Sequence, residues 1–167
     1  MSRSEKGDVQ HPDPLFHIVM YEPEIPQNTG NVGRLCLALQ ARLHLVHPLG
    51  FETDAKAVRR AGLDYWHQVD VVEHVDGGAF WRWAQDRRCY LFSSLAERPY
   101  TAIPFALDDV YIFGRESVGL PQSLVDAHGA YCLPMIGNTR SLNVSNVASI
   151  VAYGALQAIK PELFAAG

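Results

Sequence analysis

The sequence predicts an α/β protein, a mostly parallel sheet with helices on both faces. Short apolar segments rich in β-branched residues alternate with stretches of helical periodicity along the chain. Several of those segments run straight into Gly, Asn, Ser or Pro and then into a helix. The 167 residues, 48% hydrophobic and 19% charged, suffice for one domain with a sizeable core.

The polar start MSRSEKGDVQHPDP lacks the apolar stretch of a signal peptide, so residues 1–14 read as a disordered tail and 15–167 as a single domain. The expected strands are LFHIVMY (15–21), RLHLVH (42–47), HQVDVV (67–72), CYLFSS (89–94), DVYIFG (109–114) and AYCLP (130–134). Helices are expected near 29–40, 54–61, 78–86 and 121–127. A longer one is expected at about 143–160, where Val144, Val147, Ala148, Val151, Ala155, Ala158 and Ile159 recur at helical spacing. Internal repeats, low-complexity runs and dividing linkers are absent from the sequence.

Composition narrows the function. No segment reaches the roughly 18 consecutive apolar residues of a membrane span, so no membrane partner is expected. Cys36, Cys89 and Cys132 are odd in number and far apart, which argues against a disulfide framework or a CxxC zinc site and suits the cytoplasm. His44 and His47 stand at odd spacing on one strand and point to opposite faces, so no metal is expected. The net charge of −4 counts mildly against a nucleic-acid partner, although a local basic patch is enough to bind one.

The stretch IPQNTGNVGRLC (25–36) poses a question. It opens a helix with Gly30 and Gly33, residues that weaken helices, and places Arg34 nearly two turns in. Its GNVG lacks the spacing of a dinucleotide fingerprint. Two further strand ends are equally unusual: FGRESVGLP (113–121) and LPMIGNTRSLNVSN (133–146). Taken singly, each has a structural reading. Gly114 and Gly119 allow turns, Pro121 suits a helix N1 position, Asn143, Ser145 or Asn146 cap a helix, and Glu116, Arg34 and Arg140 are solvated charges. The repetition points instead to ligand binding beyond the carboxyl ends of parallel strands.

Together NTGNVGRLC, FGRESVGLP and LPMIGNTRSLNVSNVASIVAYGALQ resemble, in order and spacing, the three motifs of the SpoU branch of the SPOUT methyltransferases. The resemblance spans residues 15–160. With RRAGLDYW (59–66) and the short length, it narrows to the small enzymes that methylate the ribose 2'-oxygen of the wobble nucleotide, cytidine or uridine, in tRNA. The second motif departs from that subgroup in Arg115, and the third in GNTRSLN where Asp–Ser–Arg–Ser is common; both leave the branch intact.

The resemblance implies a deep trefoil knot in the C-terminal half, a homodimer with an active site shared between subunits, S-adenosyl-L-methionine as methyl donor, and the tRNA anticodon stem-loop as partner. It implies Arg34 as the principal catalytic residue, reaching into the cleft, with the glycine-bearing helix start leaving room for RNA. Asn28 would meet the ribose or orient Arg34. Glu116 would hold local structure, accepting from Asn28 or from the third motif's backbone. Ser141 and Asn143 would sit at the cofactor and ribose. Cofactor contacts fall to Ser93, Ser94, Gly114, Leu133, Met135 and Ser141, and RNA phosphates to Arg140, Lys56, Arg59 and Arg60. Tyr65 or Trp66 stacks on a base or packs in the core or an interface; Trp81 and Trp83 pack. Two alternatives stay open: a ribose methyltransferase for ribosomal RNA or another tRNA position, and a binding module without turnover.

Overall fold

A computed structural model describes residues 9–54, 57 and 64–167. In chain order the elements are β1 (His17–Tyr21), α1 (Pro26–Leu39), β2 (Arg42–Val46), β3 (Val71–His74), α2 (Gly77–Ala84), β4 (Cys89–Leu91), β5 (Arg98–Pro99), β6 (Val110–Phe113), α3 (Gln122–His128), β7 (Tyr131–Cys132) and α4 (Val144–Ile159). The main sheet has five parallel strands in the order β3-β2-β1-β6-β4.

β1 is buried along its whole length because both of its faces are covered. Ile18 and Met20 face α1 and α4 in a core with Val32, Cys36, Leu43, Leu45, Phe113, Val151 and Ala155. Val19 and Tyr21 face the opposite way, with Val46, Ile112, Phe80 of α2 and, at the margin, Leu124 of α3. β1 has β2 on one side and β6, far later in the chain, on the other. The crevice beyond the carboxyl ends of β1 and β6 is therefore the switch point where an open α/β sheet takes its ligand.

Three expectations about elements are corrected. HQVDVV is not a strand throughout: Trp66–Gln68 forms a 3-10 turn closed by the Val69 N–H on the Trp66 carbonyl, and β3 starts at Val71. AYCLP is not a full strand of the main sheet: β7 pairs in parallel with β5 in a separate two-stranded sheet and meets the edge of the main sheet through a parallel bridge from Tyr131 to Phe92, just past β4, and β5 carries no strand signal because it consists of Arg98 and Pro99. Pro121 precedes α3 as its N-cap, and the proline that opens a helix is Pro26 of α1, whose missing N–H is no loss there. The helix expected at 54–61 lies largely outside the described residues.

On the α2 side, neighbouring strands align three histidines. His17 Nδ1 and His44 Nε2 are 2.9 Å apart, and His44 Nδ1 and His74 Nε2 are 2.8 Å apart. His17 Nε2 lies 2.8 Å from Asp108, which also accepts from Arg87 at 2.6 Å. Partial burial of Asp108 opposes ionisation, but bonds from His17 and Arg87 outweigh it and hold its carboxyl below the usual range. An ionised carboxylate only accepts, so His17 carries its proton on Nε2. Its Nδ1 must then accept from His44, whose Nδ1 accepts from His74. Trp83 packs against all three rings. Within a single strand the His44–His47 spacing shows none of this; lateral register creates it.

Candidate functional site

A cavity of about 540 Å³ opens at the switch point, within the usual size of small-molecule sites. Of the residues singled out from sequence, Asn28, Ser93, Ser94, Gly114, Glu116, Leu133, Met135, Arg140, Ser141 and Asn143 line it. They come from the first turn of α1, from the ends of β4, β6 and β7 and from the entry to α4. Lys56, Arg59 and Arg60 lie outside the described residues.

Hydrogen bonds tie the three loops together. Asn143 caps α4, its Oδ1 accepting from the Ser145 N–H at 2.9 Å, and its Nδ2 donates to Asn28 Oδ1 at 3.0 Å. Asn28, only 5% exposed, donates in turn to Glu116 at 3.3 Å. Glu116 accepts from the Glu24 N–H at 2.8 Å and the Ile25 N–H at 3.2 Å. The carboxylate thus fastens the backbone of the first loop and not that of the third. The residues beside it act likewise: Arg115 pairs with Glu22 at 2.8 Å, and the Ser117 hydroxyl donates to Glu24 at 2.6 Å. Arg115, a departure from the subgroup pattern, is therefore matched by a carboxylate across the crevice.

Asn143 has separable duties. Asn143→Ala is expected to lower stability by about 0.5–2 kcal/mol through the lost cap. Asn143→Asp keeps the cap acceptor and is expected to recover most of that loss in urea unfolding. Equal destabilisation by both variants would place the loss on the bond to Asn28 instead.

Gly114 is required by close approach. A Cβ there would lie 2.3 Å from the Gly119 carbonyl carbon and the Leu120 nitrogen, both backbone atoms that cannot swing aside. Gly119 has φ +73, which glycine adopts without strain. Sequence reasoning missed other wall residues, among them Phe92, Val118, Tyr131 and Cys132. They adjoin the motif residues in sequence, which is the only signal they give.

Two expectations about α1 change. Gly33 does not leave room for RNA: a Cβ at Gly33 would stand 2.6 Å from the Trp66 ring, so the glycine admits that indole. Arg34 does not reach into the cavity of its own chain. It is exposed, absent from the cavity wall, and its guanidinium carbon lies 5.7 Å from the centroid of the Tyr65 ring. The Tyr65 hydroxyl donates to the Gly30 carbonyl at 2.8 Å, and burial pushes its pKa up, keeping it a donor.

Residues 15–153 match the model of one family: the chain belongs to the SpoU rRNA methylase family. It is 43% identical over 147 residues to a Bacillus subtilis protein, covering 85% of this chain and 92% of that one. It is 41% identical over 144 residues to the Escherichia coli (strain K12) protein named tRNA (cytidine(34)-2'-O)-methyltransferase, covering 84% of this chain and 92% of that one. A solved structure described as giving insights into the 2-OH methylation of C/U34 on tRNA superposes with a TM-score of 0.82 at 38% identity, over 88% of this chain and 97% of that chain.

Proposed function

We propose that this chain transfers the methyl group of S-adenosyl-L-methionine to the ribose 2'-oxygen of the wobble nucleotide of tRNA. The observation that carries the reading is the Asn143–Asn28–Glu116 network, which holds three loops around one cavity in a chain 41% identical to the Escherichia coli protein of that name.

The cavity suits a nucleoside-bearing donor. Its size is right, Leu133 and Met135 offer an apolar wall, Ser93 and Ser141 offer hydroxyls, and Gly114 keeps side-chain bulk away from the backbone. Bound there, S-adenosyl-L-methionine would supply a sulfonium methyl whose leaving group is a neutral thioether. The protein then has one difficult task, because a ribose hydroxyl is barely ionised near neutral pH. The new bond joins the 2'-oxygen to the methyl carbon, the sulfur–methyl bond breaks, and the hydroxyl proton leaves to solvent.

Arg34 steadies the oxygen as that proton departs. A guanidinium has a pKa above about 12 and stays charged, so it acts through its charge and its forked donors. Because Arg34 stands on the outer face of α1, the site is completed in a homodimer that brings Arg34 of one protomer to the cavity of the other. Ile150 and Tyr153 on α4, 40% and 49% exposed, support such an interface, although most of the helix's apolar face is buried within its own chain. The deep trefoil knot of the C-terminal half belongs to the same reading and is supported by family membership. Asn28 and Glu116 preorganise the first loop, and Ser141 and Asn143 border the ribose and donor. Arg140, on the cavity wall, binds phosphate together with Lys56, Arg59 and Arg60; among the described residues Arg42, Arg87, Arg88 and Arg115 are already paired with carboxylates. RNA affinity therefore falls as salt rises.

The test is transfer of labelled methyl to bulk tRNA lacking wobble ribose methylation, followed by mapping. Label is expected on the 2'-oxygen of the first anticodon nucleotide. Label elsewhere in tRNA or on ribosomal RNA would refute the substrate, and no acceptor in either RNA would refute the activity.

A further inference from the structure

We infer that Tyr65 is a positioning residue for Arg34, holding the guanidinium at a fixed place on the outer face of α1. The inference deepens the proposed function and rests on the role given there to Arg34.

A surface arginine ordinarily samples many rotamers, and fixing one costs side-chain entropy. Four arginines among the described residues are fixed by carboxylates; Arg34 has no carboxylate within salt-bridge distance among those residues. Its neighbour is instead the Tyr65 ring, within the roughly 6 Å over which a guanidinium is held by an aromatic face. A ring suits this purpose better than a carboxylate. It restrains the cation without neutralising it, so the full charge remains for a phosphate or a developing alkoxide.

The ring is itself held at two points. Its hydroxyl donates to the carbonyl of Gly30, one turn before Arg34 on the same helix. The next residue, Trp66, lies against Gly33, where even a methyl group would collide with its ring. The tyrosine and tryptophan thus dock on the turn that carries Arg34, and the glycine at position 33 is what lets them do so. The weak helix start serves to seat this aromatic pair.

The experiment uses the full-length protein as wild type, Tyr65→Phe and Tyr65→Leu, with 15N-labelled arginine and the Arg34 Nε–H resonance identified by Arg34→Lys. In wild type and Tyr65→Phe that resonance is expected to be displaced by the ring current; in Tyr65→Leu it moves to the position of a free arginine. In methyl transfer, Tyr65→Leu is expected to lower kcat at least about fivefold, with the KM for S-adenosyl-L-methionine within about twofold, and Tyr65→Phe to restore most of it. An unshifted resonance in wild type, an unchanged kcat in Tyr65→Leu, or a loss shared equally by Tyr65→Phe would overturn the inference. A KM that rises in step with the fall in kcat would also overturn it, since that marks a general structural effect. If wild type methylates no RNA, the proposed function fails and the resonance alone decides whether Tyr65 holds Arg34.

Discussion

Arg34→Ala is expected to lower methyl transfer by about 10²- to 10³-fold while leaving the affinity for S-adenosyl-L-methionine within a few fold. The split follows from placement. Within one chain the strand-end loops wall the cavity without Arg34, and in the proposed dimer Arg34 meets the ribose oxygen and not the donor, so its removal leaves the donor's own contacts in place. On the proposed mechanism, what is lost is a permanent cation beside the attacking oxygen. Arg34→Lys keeps the charge but not the planar fork, and only partial recovery is expected. Single-turnover transfer measured beside calorimetric cofactor binding separates the two quantities. Cofactor affinity lost in parallel with turnover would mean that Arg34 shapes the pocket.

The second large effect concerns acid. Burial first, and then His17 and His74 beside it, push the pKa of His44 down to about 2, and burial also lowers those of His17 and His74. In the unfolded chain these imidazoles protonate near their ordinary 6.5. Below that pH the unfolded state binds protons that the folded state refuses, so stability is complete above 6.5 and falls progressively as pH is lowered. Between pH 6.5 and 5, His44 alone accounts for about 2 kcal/mol, at 1.36 kcal/mol per pH unit. The other two histidines act in the same direction. Against a typical domain stability of about 5–15 kcal/mol this is a large fraction. Urea midpoints are expected to be level from pH 8 to 7 and to fall steeply below 6.5, before most carboxylates titrate. A level profile down to pH 5 would mean that the three rings accept protons freely in the folded protein.

Local patterns in the sequence sufficed for β1, β2, β4 and β6, because strands buried on both faces leave continuous apolar runs, whereas β3 starts four residues later than its pattern suggested. The three loops were legible because Gly, Asn and Ser at strand ends are poor choices for packing. The cap was legible only as one of three candidates, Asn143, Ser145 and Asn146, and the structure gives it to Asn143. Features that depend on lateral register were not. The histidine alignment needs three strands side by side, and β5 has too little apolar character to announce itself. The purpose of Gly33 was misread because its neighbour in space, Trp66, follows more than thirty residues later. The partner of Glu116 was half legible: Asn28 was anticipated, but the backbone of Glu24 and Ile25 gives no sign in sequence.

The central position of β1 bears on how the chain comes off the ribosome. β1 is made well before one of its neighbours, β6, which pairs Val110 with His17 and Phe113 with Met20. Until residue 113 has emerged, the edge of β1 that faces β6 has no strand to bond and its apolar side chains lack half their cover. Contacts so distant in sequence are slow to close. The stretch from β1 to β4 is therefore open to chaperones and to misassociation until β6 is made, and the crevice between β1 and β6 forms only after residue 113 has emerged.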